Sequence, residues 1–305
     1  MGKIAFVFSG QGAQHPGMGR GFYESSAAVR GLFDEAERVR PGTLHMMFEG
    51  DEAELRHTEN TQPCLYLADL GAAIAVKEAG ISPEAVAGFS LGEIPALAFA
   101  GAYSYTDGFS MSVLRGAFMG KAASAVSASM VAVVKLPYET VEALCTHYEQ
   151  VYPVNYNGGG QLVVSGVTAE LEPFCREVKE AGGRAIPLAV GGGFHSPFMD
   201  EAAEAFGRAL GAYTLEQPAL LTYSNYTGKP YEGDVRALLE NQINHPVRWE
   251  TIIRAMLTDG FDTFIETGVG ETLKKLIGKI SPESQCFAVN SPETLAAACE
   301  EIRHA

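Results

Sequence analysis

Apolar residues along this chain occur in two patterns, short continuous runs and longer stretches with helical spacing. The run 4–8, Ile-Ala-Phe-Val-Phe, is bounded by turn residues, which is typical of a central strand in a parallel sheet covered on both faces. Across 62–79 the apolar positions recur at helical spacing and Gly80 follows as a natural stop, so a helix is predicted there.

Strand-like and helix-like segments alternate along most of the chain, which predicts a mixed α/β protein. Further strands are predicted at 130–136, 161–165, 185–190, 220–224 and 261–266, and further helices at 26–38, 107–123 with Asp107 as its cap, 138–148, 169–181, 198–210, 235–241 and 271–280. We expect 1–123 and 191–305 to form a large α/β-hydrolase-like domain with a mostly parallel sheet. Between them, 124–190 is expected to form a small inserted ferredoxin-like subdomain.

Composition and charge narrow the possible functions. With 305 residues, 47% hydrophobic and 19% charged, the chain has the composition of an ordinary globular protein. A net charge of -15 argues against nucleic acid and anionic membrane surfaces as partners. No apolar stretch is long enough to span a membrane, and the first residues lack the pattern of a signal peptide. We therefore expect a cytoplasmic protein.

The cysteines and the first glycine-rich turn predict neither a metal site nor a nucleotide cofactor. Five scattered cysteines form no Cys-x-x-Cys pair and have no histidine at zinc-site spacing, so we interpret them as reduced thiols. The turn at 9–16 lacks the third glycine of a dinucleotide-binding loop, and Pro16 interrupts any helix that would follow directly.

A nucleophile elbow is predicted at Gly88-Phe89-Ser90-Leu91-Gly92. A glycine two residues to either side of a serine allows a sharp turn that exposes the hydroxyl between a strand and a helix. The pentapeptide is also common in glycine-rich chains, but here an apolar run precedes it and helix formers follow. We take Ser90 as a nucleophile.

Three other residues are candidates for the same site. His195 follows three glycines at an expected domain junction and is the best general base. Arg115 lies beside an apolar helical stripe, where its guanidinium either extends to water or binds a carboxylate. Asn155 stands in a predicted turn, 154–160, that either only reverses the chain or supplies polar groups to a cleft. In a typical α/β-hydrolase an Asp or Glu precedes a histidine near the C-terminus. Here about 110 residues follow His195, which departs from that pattern.

Six motifs taken together carry a family resemblance that covers essentially the whole chain. They are Phe8-Ser-Gly-Gln-Gly-Ala-Gln14, Gly88-Phe-Ser-Leu-Gly-Glu93, Arg115-Gly-x-x-Met119, Asn155-Tyr-Asn157, Phe194-His-Ser-Pro-x-Met199 and Pro246-Val-x-Trp249. Their order resembles the malonyl-CoA:acyl carrier protein transacylase family, including the acyltransferase domains of polyketide synthases. The resemblance implies transfer of malonyl from malonyl-CoA to a serine and then to the phosphopantetheine thiol of acyl carrier protein. Because no ketosynthase is fused to the chain, we expect this transfer to serve fatty-acid biosynthesis.

The resemblance also implies roles for individual residues. The residues concerned are the nucleophile Ser90, the acid/base His195, the oxyanion-hole backbone N–H groups of Gln11 and Leu91, the malonyl-binding Arg115, and Gln242, whose main-chain carbonyl orients the histidine. Phe194 is similar to the malonyl-selective members, and we take it with Asn155 and Gln11 as substrate-binding. We expect a monomer that needs no cofactor.

Two positions depart from the family pattern, and other functions stay open. Phe89 replaces the usual histidine and Val269 replaces the usual proline of a Gly-Pro-Gly turn. Phe89 puts the rate and the acyl-group selectivity of the family in doubt for this chain. Val269 is expected to have a structural effect only. The alternatives are a thioesterase or lipase-type hydrolase that uses the same serine and histidine on water, a malonyl transferase of a polyketide pathway, and a non-catalytic module that binds a carrier protein.

Overall fold

The computed structural model describes residues 2–304. Its strands are β1 (Lys3–Phe8), β2 (Ala85–Gly88), β3 (Ala128–Val134), β4 (Val151–Gly158), β5 (Gln161–Val167), β6 (Arg184–Pro187), β7 (Leu221–Tyr223), β8 (Phe261–Thr267) and β9 (Gln285–Val289). Its helices are α1 (Arg20–Ser25), α2 (Ala27–Val39), α3 (Thr43–Glu49), α4 (Glu52–Leu55), α5 (Thr58–Glu78), α6 (Glu93–Phe99), α7 (Tyr105–Ala125), α8 (Tyr138–Cys145), α9 (Thr168–Glu180), α10 (Asp200–Ala209), α11 (Val235–Asn244), α12 (Trp249–Thr258), α13 (Thr272–Ile280) and α14 (Pro292–His304).

A parallel sheet forms the centre of the larger part of the molecule. Within the described residues its strands lie in the order β7-β2-β1-β8-β9, and each neighbouring pair is parallel. The register pairs Phe8 with Gly88 on one side and with Thr267 on the other. Because the carboxyl ends of parallel strands meet at one edge, the loops after β1, β2 and β8 lie together there.

The apolar run of β1 packs on both faces of this sheet, as predicted. Phe6 and Phe8 belong to a core that includes α5, whereas Ala5 and Val7 belong to a second core with Trp249 of α12. All four side chains are fully buried. This alternation is what a central strand between two helical layers requires.

The second sheet is antiparallel and lies wholly within 128–187. Its strands are arranged β4-β5-β3-β6, again counting only residues 2–304. Helices α8 and α9 pack on one face around a core that includes Val133 and Phe174. The mixed α/β architecture, with one parallel sheet, is confirmed. The finer likenesses to α/β-hydrolases and ferredoxins, and the division into domains at 124 and 190, stay predictions.

Two local predictions are wrong. Helix α7 begins two residues before Asp107, because Ser104 is its N-cap: the Ser104 hydroxyl oxygen accepts from the Asp107 N–H at 3.0 Å. The segment 154–160 is mostly strand rather than turn, since β4 continues to Gly158. Pro153 and the asparagines lower its strand propensity, and the register shifts next to Pro153 and Gly158 obscure the alternating pattern.

Among residues 2–304, no helix is both long enough and apolar enough to cross a membrane.

Candidate active site

The serine at the predicted elbow lies at the carboxyl edge of the parallel sheet. Strand β2 ends at Gly88, and Ser90 begins a short 3-10 helix that leads directly into α6. The φ angle of Ser90 is 54°, in the left-handed region that residues with a Cβ rarely adopt. A Cβ at Gly88 would lie 1.9 Å from the Gly92 carbonyl carbon, and one at Gly92 would lie 2.2 Å from the Phe8 oxygen. The turn therefore needs glycine at both positions.

His195 reaches this serine from a loop 105 residues further along the chain. Its Nε2 lies 2.7 Å from Ser90 Oγ, and its Nδ1 lies 2.9 Å from the main-chain carbonyl oxygen of Gln242. Because a carbonyl only accepts, Nδ1 carries the proton and Nε2 is free to accept from the serine hydroxyl. A main-chain carbonyl thus orients the imidazole, where many Ser-His sites use a carboxylate.

The electrostatic environment keeps this imidazole neutral. Burial and, secondarily, the positive charge of Arg115 lower the pKa of His195 to about 3, against a smaller opposing effect of the hydrogen bond to Gln242. A base is deprotonated above its pKa, so His195 can accept a proton throughout the neutral range.

We expect the His195 Cε1–H resonance to show no titration between about pH 5 and about pH 8, because the imidazole remains neutral above its lowered pKa. Proton NMR of the unliganded protein measures this, with the signal assigned by its loss in the His195→Asn variant. A midpoint near the ordinary histidine value would contradict the burial argument.

Arg115 is completely buried rather than extended to water. Its Nη2 donates to Ser90 Oγ at 3.3 Å and to Gln242 Oε1 at 2.8 Å, while its Nε and Nη1 have no partner among the described residues. Burial lowers the pKa of Arg115 to about 10, and the nearby Glu93 opposes this shift, so the guanidinium is charged at neutral pH. A buried cation with unused donors beside the Ser90 hydroxyl is suited to binding a carboxylate.

Glu93, the first residue of α6, was given no role by the sequence. It is fully buried and accepts from the Tyr231 hydroxyl, from Gln242 Nε2 at 3.0 Å and from the Asn225 N–H at 3.2 Å. Burial raises the pKa of Glu93 to about 7, against these hydrogen bonds and the charge of Arg115. The sequence signalled Glu93 as the last residue of the motif 88–93 and as a charge within the otherwise apolar stretch 91–100.

Gln242 connects the three functional groups of the site. Its main-chain carbonyl accepts from His195, as the family resemblance implied, and its side chain does more. The Oε1 atom accepts from Arg115, and Nε2 donates to the main-chain oxygen of Ser90 at 2.6 Å. One residue of α11 thereby fixes Ser90, His195 and Arg115 relative to one another.

A cleft of about 290 Å³ lies between the two sheets next to the elbow. Gln11, Phe89 and Asn155 line it together with apolar residues of β5 and α13. The Oδ1 of Asn155 is buried and has no partner within residues 2–304. A larger depression of about 650 Å³, lined by α2, α5 and the start of α7, contains none of these groups, so chemistry rather than volume identifies the site.

The remaining predicted residues lie around Ser90 without a hydrogen bond to its hydroxyl in this structure. Gln11 follows β1, and its side-chain oxygen accepts from Gln62 Nε2 at 3.1 Å. Leu91 is the second residue of the short helix at the elbow, with a buried side chain. Phe194, which precedes His195 in the chain, is buried in the core that includes Phe6, Phe8 and α5. The structure therefore brings Ser90, His195, Arg115 and Gln242 into contact. Gln11, Leu91, Phe194 and Asn155 do not contact the Ser90 hydroxyl through a hydrogen bond.

Comparison with known proteins points to one enzyme class. Residues 5–279 match the family described as acyl transferase domain. The chain is 37% identical over 311 residues to the malonyl CoA-acyl carrier protein transacylase of Bacillus subtilis, covering 99% of this chain and 98% of that protein. It is 32% identical over 291 residues to that organism's polyketide biosynthesis malonyl CoA-acyl carrier protein transacylase PksC, with coverages of 93% and 99%. The crystal structure of malonyl CoA-acyl carrier protein transacylase from Clostridium perfringens matches with a TM-score of 0.96 at 31% identity, covering 99% of this chain and 98% of the other.

Proposed function

The chain belongs to the acyl transferase domain family, and on that premise we propose that it transfers malonyl from malonyl-CoA to the phosphopantetheine thiol of acyl carrier protein. The observation that carries the proposal is the contact of Ser90 with both a neutral histidine and a buried arginine. Serine and histidine supply acyl transfer, and the arginine supplies recognition of an acyl group that bears a carboxylate.

In the first half-reaction, Ser90 takes the malonyl group. His195 Nε2 accepts the hydroxyl proton while Oγ attacks the thioester carbonyl, which forms the C–O bond and a tetrahedral oxyanion. The backbone N–H groups of Gln11 and Leu91 donate to that oxyanion in this proposal. The C–S bond then breaks, and the protonated His195 returns the proton to the departing CoA thiolate.

The second half-reaction runs the same chemistry with another thiol. His195 removes the proton from the phosphopantetheine thiol of acyl carrier protein, and the sulfur attacks the malonyl-serine ester. Collapse of the second tetrahedral intermediate breaks the bond to Ser90 Oγ, which regains its proton from His195. A base that is neutral in the resting enzyme suits both steps, because each begins with proton removal.

Arg115 distinguishes malonyl from acetyl in this proposal. The two groups differ by a carboxylate, which the unpaired Nε and Nη1 donors of a buried guanidinium can bind. Phe194 and Asn155 bind the substrate next to it, and Asn155 does so from β4. We further infer that 124–190 is an inserted subdomain that forms one wall of the cleft, since its strands β3, β4 and β5 contribute lining residues.

The pathway in this proposal is fatty-acid synthesis. The Bacillus subtilis protein at 37% identity carries the transacylase name alone, whereas the polyketide enzyme of that organism is 32% identical. Transfer rates to the carrier proteins of a fatty-acid and of a polyketide pathway, measured side by side, test this assignment. Faster transfer to the polyketide carrier would overturn it.

Intact mass spectrometry after brief exposure to malonyl-CoA or acetyl-CoA tests the proposed activity. We expect a malonyl adduct on Ser90 and little acetyl adduct, because only malonyl pairs with the guanidinium. The adduct should persist until acyl carrier protein is added and then disappear as the carrier gains mass. No adduct with either thioester would exclude the transferase, and rapid loss of the adduct to water alone would favour a hydrolase.

A further inference from the structure

Ser90 holds a backbone conformation that is unfavourable for a serine. Its positive φ of 54° brings the Cβ close to the backbone, and such a conformation persists only where surrounding contacts hold it. The residues described above provide hydrogen-bond partners for the hydroxyl and the carbonyl of Ser90. They provide none for the Ser90 N–H or for the carbonyl of Gly88 at the end of β2.

Asn225 contacts the elbow at both of these points. Its Oδ1 accepts from the Ser90 N–H at 2.6 Å, and its Nδ2 donates to the Gly88 carbonyl at 2.6 Å. The side chain is completely buried. It follows β7 by two residues, and β7 is paired with β2, the strand that leads into the elbow.

The chemistry of these two contacts specifies an amide. One backbone group is a donor and the other is an acceptor, so the side chain between them must accept on one side and donate on the other. A carboxamide does both at once. A carboxylate lacks the donor, and an alkyl side chain lacks both, which would leave buried backbone groups unpaired.

Asn225 is itself held in place by its own main chain. Its N–H donates to Glu93 Oε2 at 3.2 Å, and its carbonyl accepts from the Arg248 N–H at 3.0 Å. The carboxamide is therefore presented to the elbow from a fixed backbone, which is what a positioning contact requires.

We propose that Asn225 is a positioning residue for acyl transfer, whose carboxamide holds Ser90 in the strained elbow so that the hydroxyl stays aligned with His195. The inference rests on the proposed function and deepens it. Asn225 Oδ1 accepts from the Ser90 N–H, and Gln242 Nε2 donates to the Ser90 carbonyl, each at 2.6 Å. Both backbone groups of the nucleophile are thus fixed, and the N–H of Leu91 rather than that of Ser90 serves as the oxyanion donor.

The Asn225→Ala variant tests the alignment, with Ser224→Ala as its matched control. Ser224 is equally buried and directly adjacent, but its hydroxyl donates no hydrogen bond to the elbow or to any other group within residues 2–304. The rate constant for malonyl-enzyme formation, per folded enzyme, is expected to fall roughly 10- to 100-fold in Asn225→Ala, because small misalignments of a nucleophile have effects of that size. The KM for malonyl-CoA and the preference for malonyl over acetyl should change less than about 3-fold. The control should keep the wild-type rate.

The Asn225→Asp variant gives a signature that a purely structural role would not produce. Its carboxylate can accept from Ser90 but repels the Gly88 carbonyl, whereas the protonated acid can accept and donate like the amide. Burial and the neighbouring Glu93 raise the pKa of such an acid, so its neutral fraction grows as the pH falls. The ratio of the variant's acylation rate to the wild-type rate should rise from about pH 8 to about pH 5.5. Arg115, Tyr231 and His195 keep their charge over this range, because their pKa values lie outside it. Glu93 contacts residue 225 and titrates within the range, so the ratio is taken with Glu93→Gln present in both enzymes.

The outcome can be separated from that of the proposed function. Phenylmethylsulfonyl fluoride reports on the elbow without any thioester: Ser90 Oγ forms a bond to sulfur, fluoride leaves, and His195 takes the proton. If wild-type enzyme reacts with this reagent but not with malonyl-CoA, the proposed function fails while the positioning role is still measured. Wild-type acylation and sulfonylation rates in folded Asn225→Ala, or a flat ratio for Asn225→Asp across the pH range, would overturn the positioning role. If the alanine variant does not fold, the aspartate variant decides.

Discussion

The His195→Asn enzyme is expected to form malonyl-enzyme about 10⁴-fold more slowly than the wild type. Removal of a positioned general base typically costs up to that factor, and here Nε2 lies 2.7 Å from the nucleophile as its proton acceptor. Asparagine is chosen because the φ of residue 195 is 59°, a conformation that asparagine tolerates better than alanine.

Stopped-flow measurement of CoA release in a single turnover gives this rate directly. The exposed His147, which pairs with Glu177 on the antiparallel sheet side of the molecule, provides the control variant His147→Asn and should react at the wild-type rate. Binding of malonyl-CoA should persist in His195→Asn, since the arginine and the cleft are unchanged. A loss below tenfold would mean that another group removes the serine proton, and would contradict the assignment of His195.

The turn at Ser90 between a strand and a helix could be predicted from sequence because its determinants are local. The apolar strand, the glycine pair and the following helix all lie within a few residues of Ser90, and the near contacts of Gly88 and Gly92 explain the required spacing. Helix α2 was predictable for the same reason: Ser26, at the start of the predicted segment, is its N-cap. Turns and helix caps that are determined by neighbouring residues can be predicted from the sequence pattern.

The groups that hold the site together could not be predicted in the same way. Asn225 and Gln242 lie 135 and 152 residues from Ser90 along the chain, and neither has a neighbouring residue that marks it. Whether Arg115 points to water or inward depends on the packing of α7 against other elements, which its own stripe does not encode. The family resemblance supplied Gln242 and favoured Arg115, but it did not include Asn225 and gave no role to Glu93.

Strand β4 illustrates a second limit of local reasoning. Its second half, Val-Asn-Tyr-Asn-Gly at 154–158, was predicted as part of a turn, yet these residues lie in a strand that pairs with β5. The Tyr156 N–H also donates to the Val247 carbonyl at 2.9 Å. Partners distant in sequence satisfy the backbone there and override its weak strand propensity. The consequence concerns function, because this strand brings Asn155 to the cleft.

Arg115→Ala is expected to lower the rate of malonyl transfer to Ser90 about 10²- to 10³-fold while changing acetyl transfer less than about tenfold. Loss of a buried, charge-assisted pair with a carboxylate costs roughly 2–5 kcal/mol, and acetyl offers no carboxylate to lose. The substitution also removes the donor of Gln242 Oε1, and this lowers the transfer rates of both malonyl and acetyl. The ratio of kcat/KM values for malonyl-CoA and acetyl-CoA isolates the selective part.

Two further measurements distinguish the shape of the guanidinium from its charge. Arg115→Lys keeps a cation but loses the planar fork, so its malonyl rate should fall between the wild type and Arg115→Ala. Added guanidinium ion should partly restore malonyl transfer in Arg115→Ala and leave acetyl transfer unchanged, because the cavity left by the side chain adjoins Ser90. Equal losses for the two thioesters would show that Arg115 acts on the nucleophile alone. The preference for malonyl would then have to come from the walls of the cleft, where Phe89 and Asn155 are the first residues to vary.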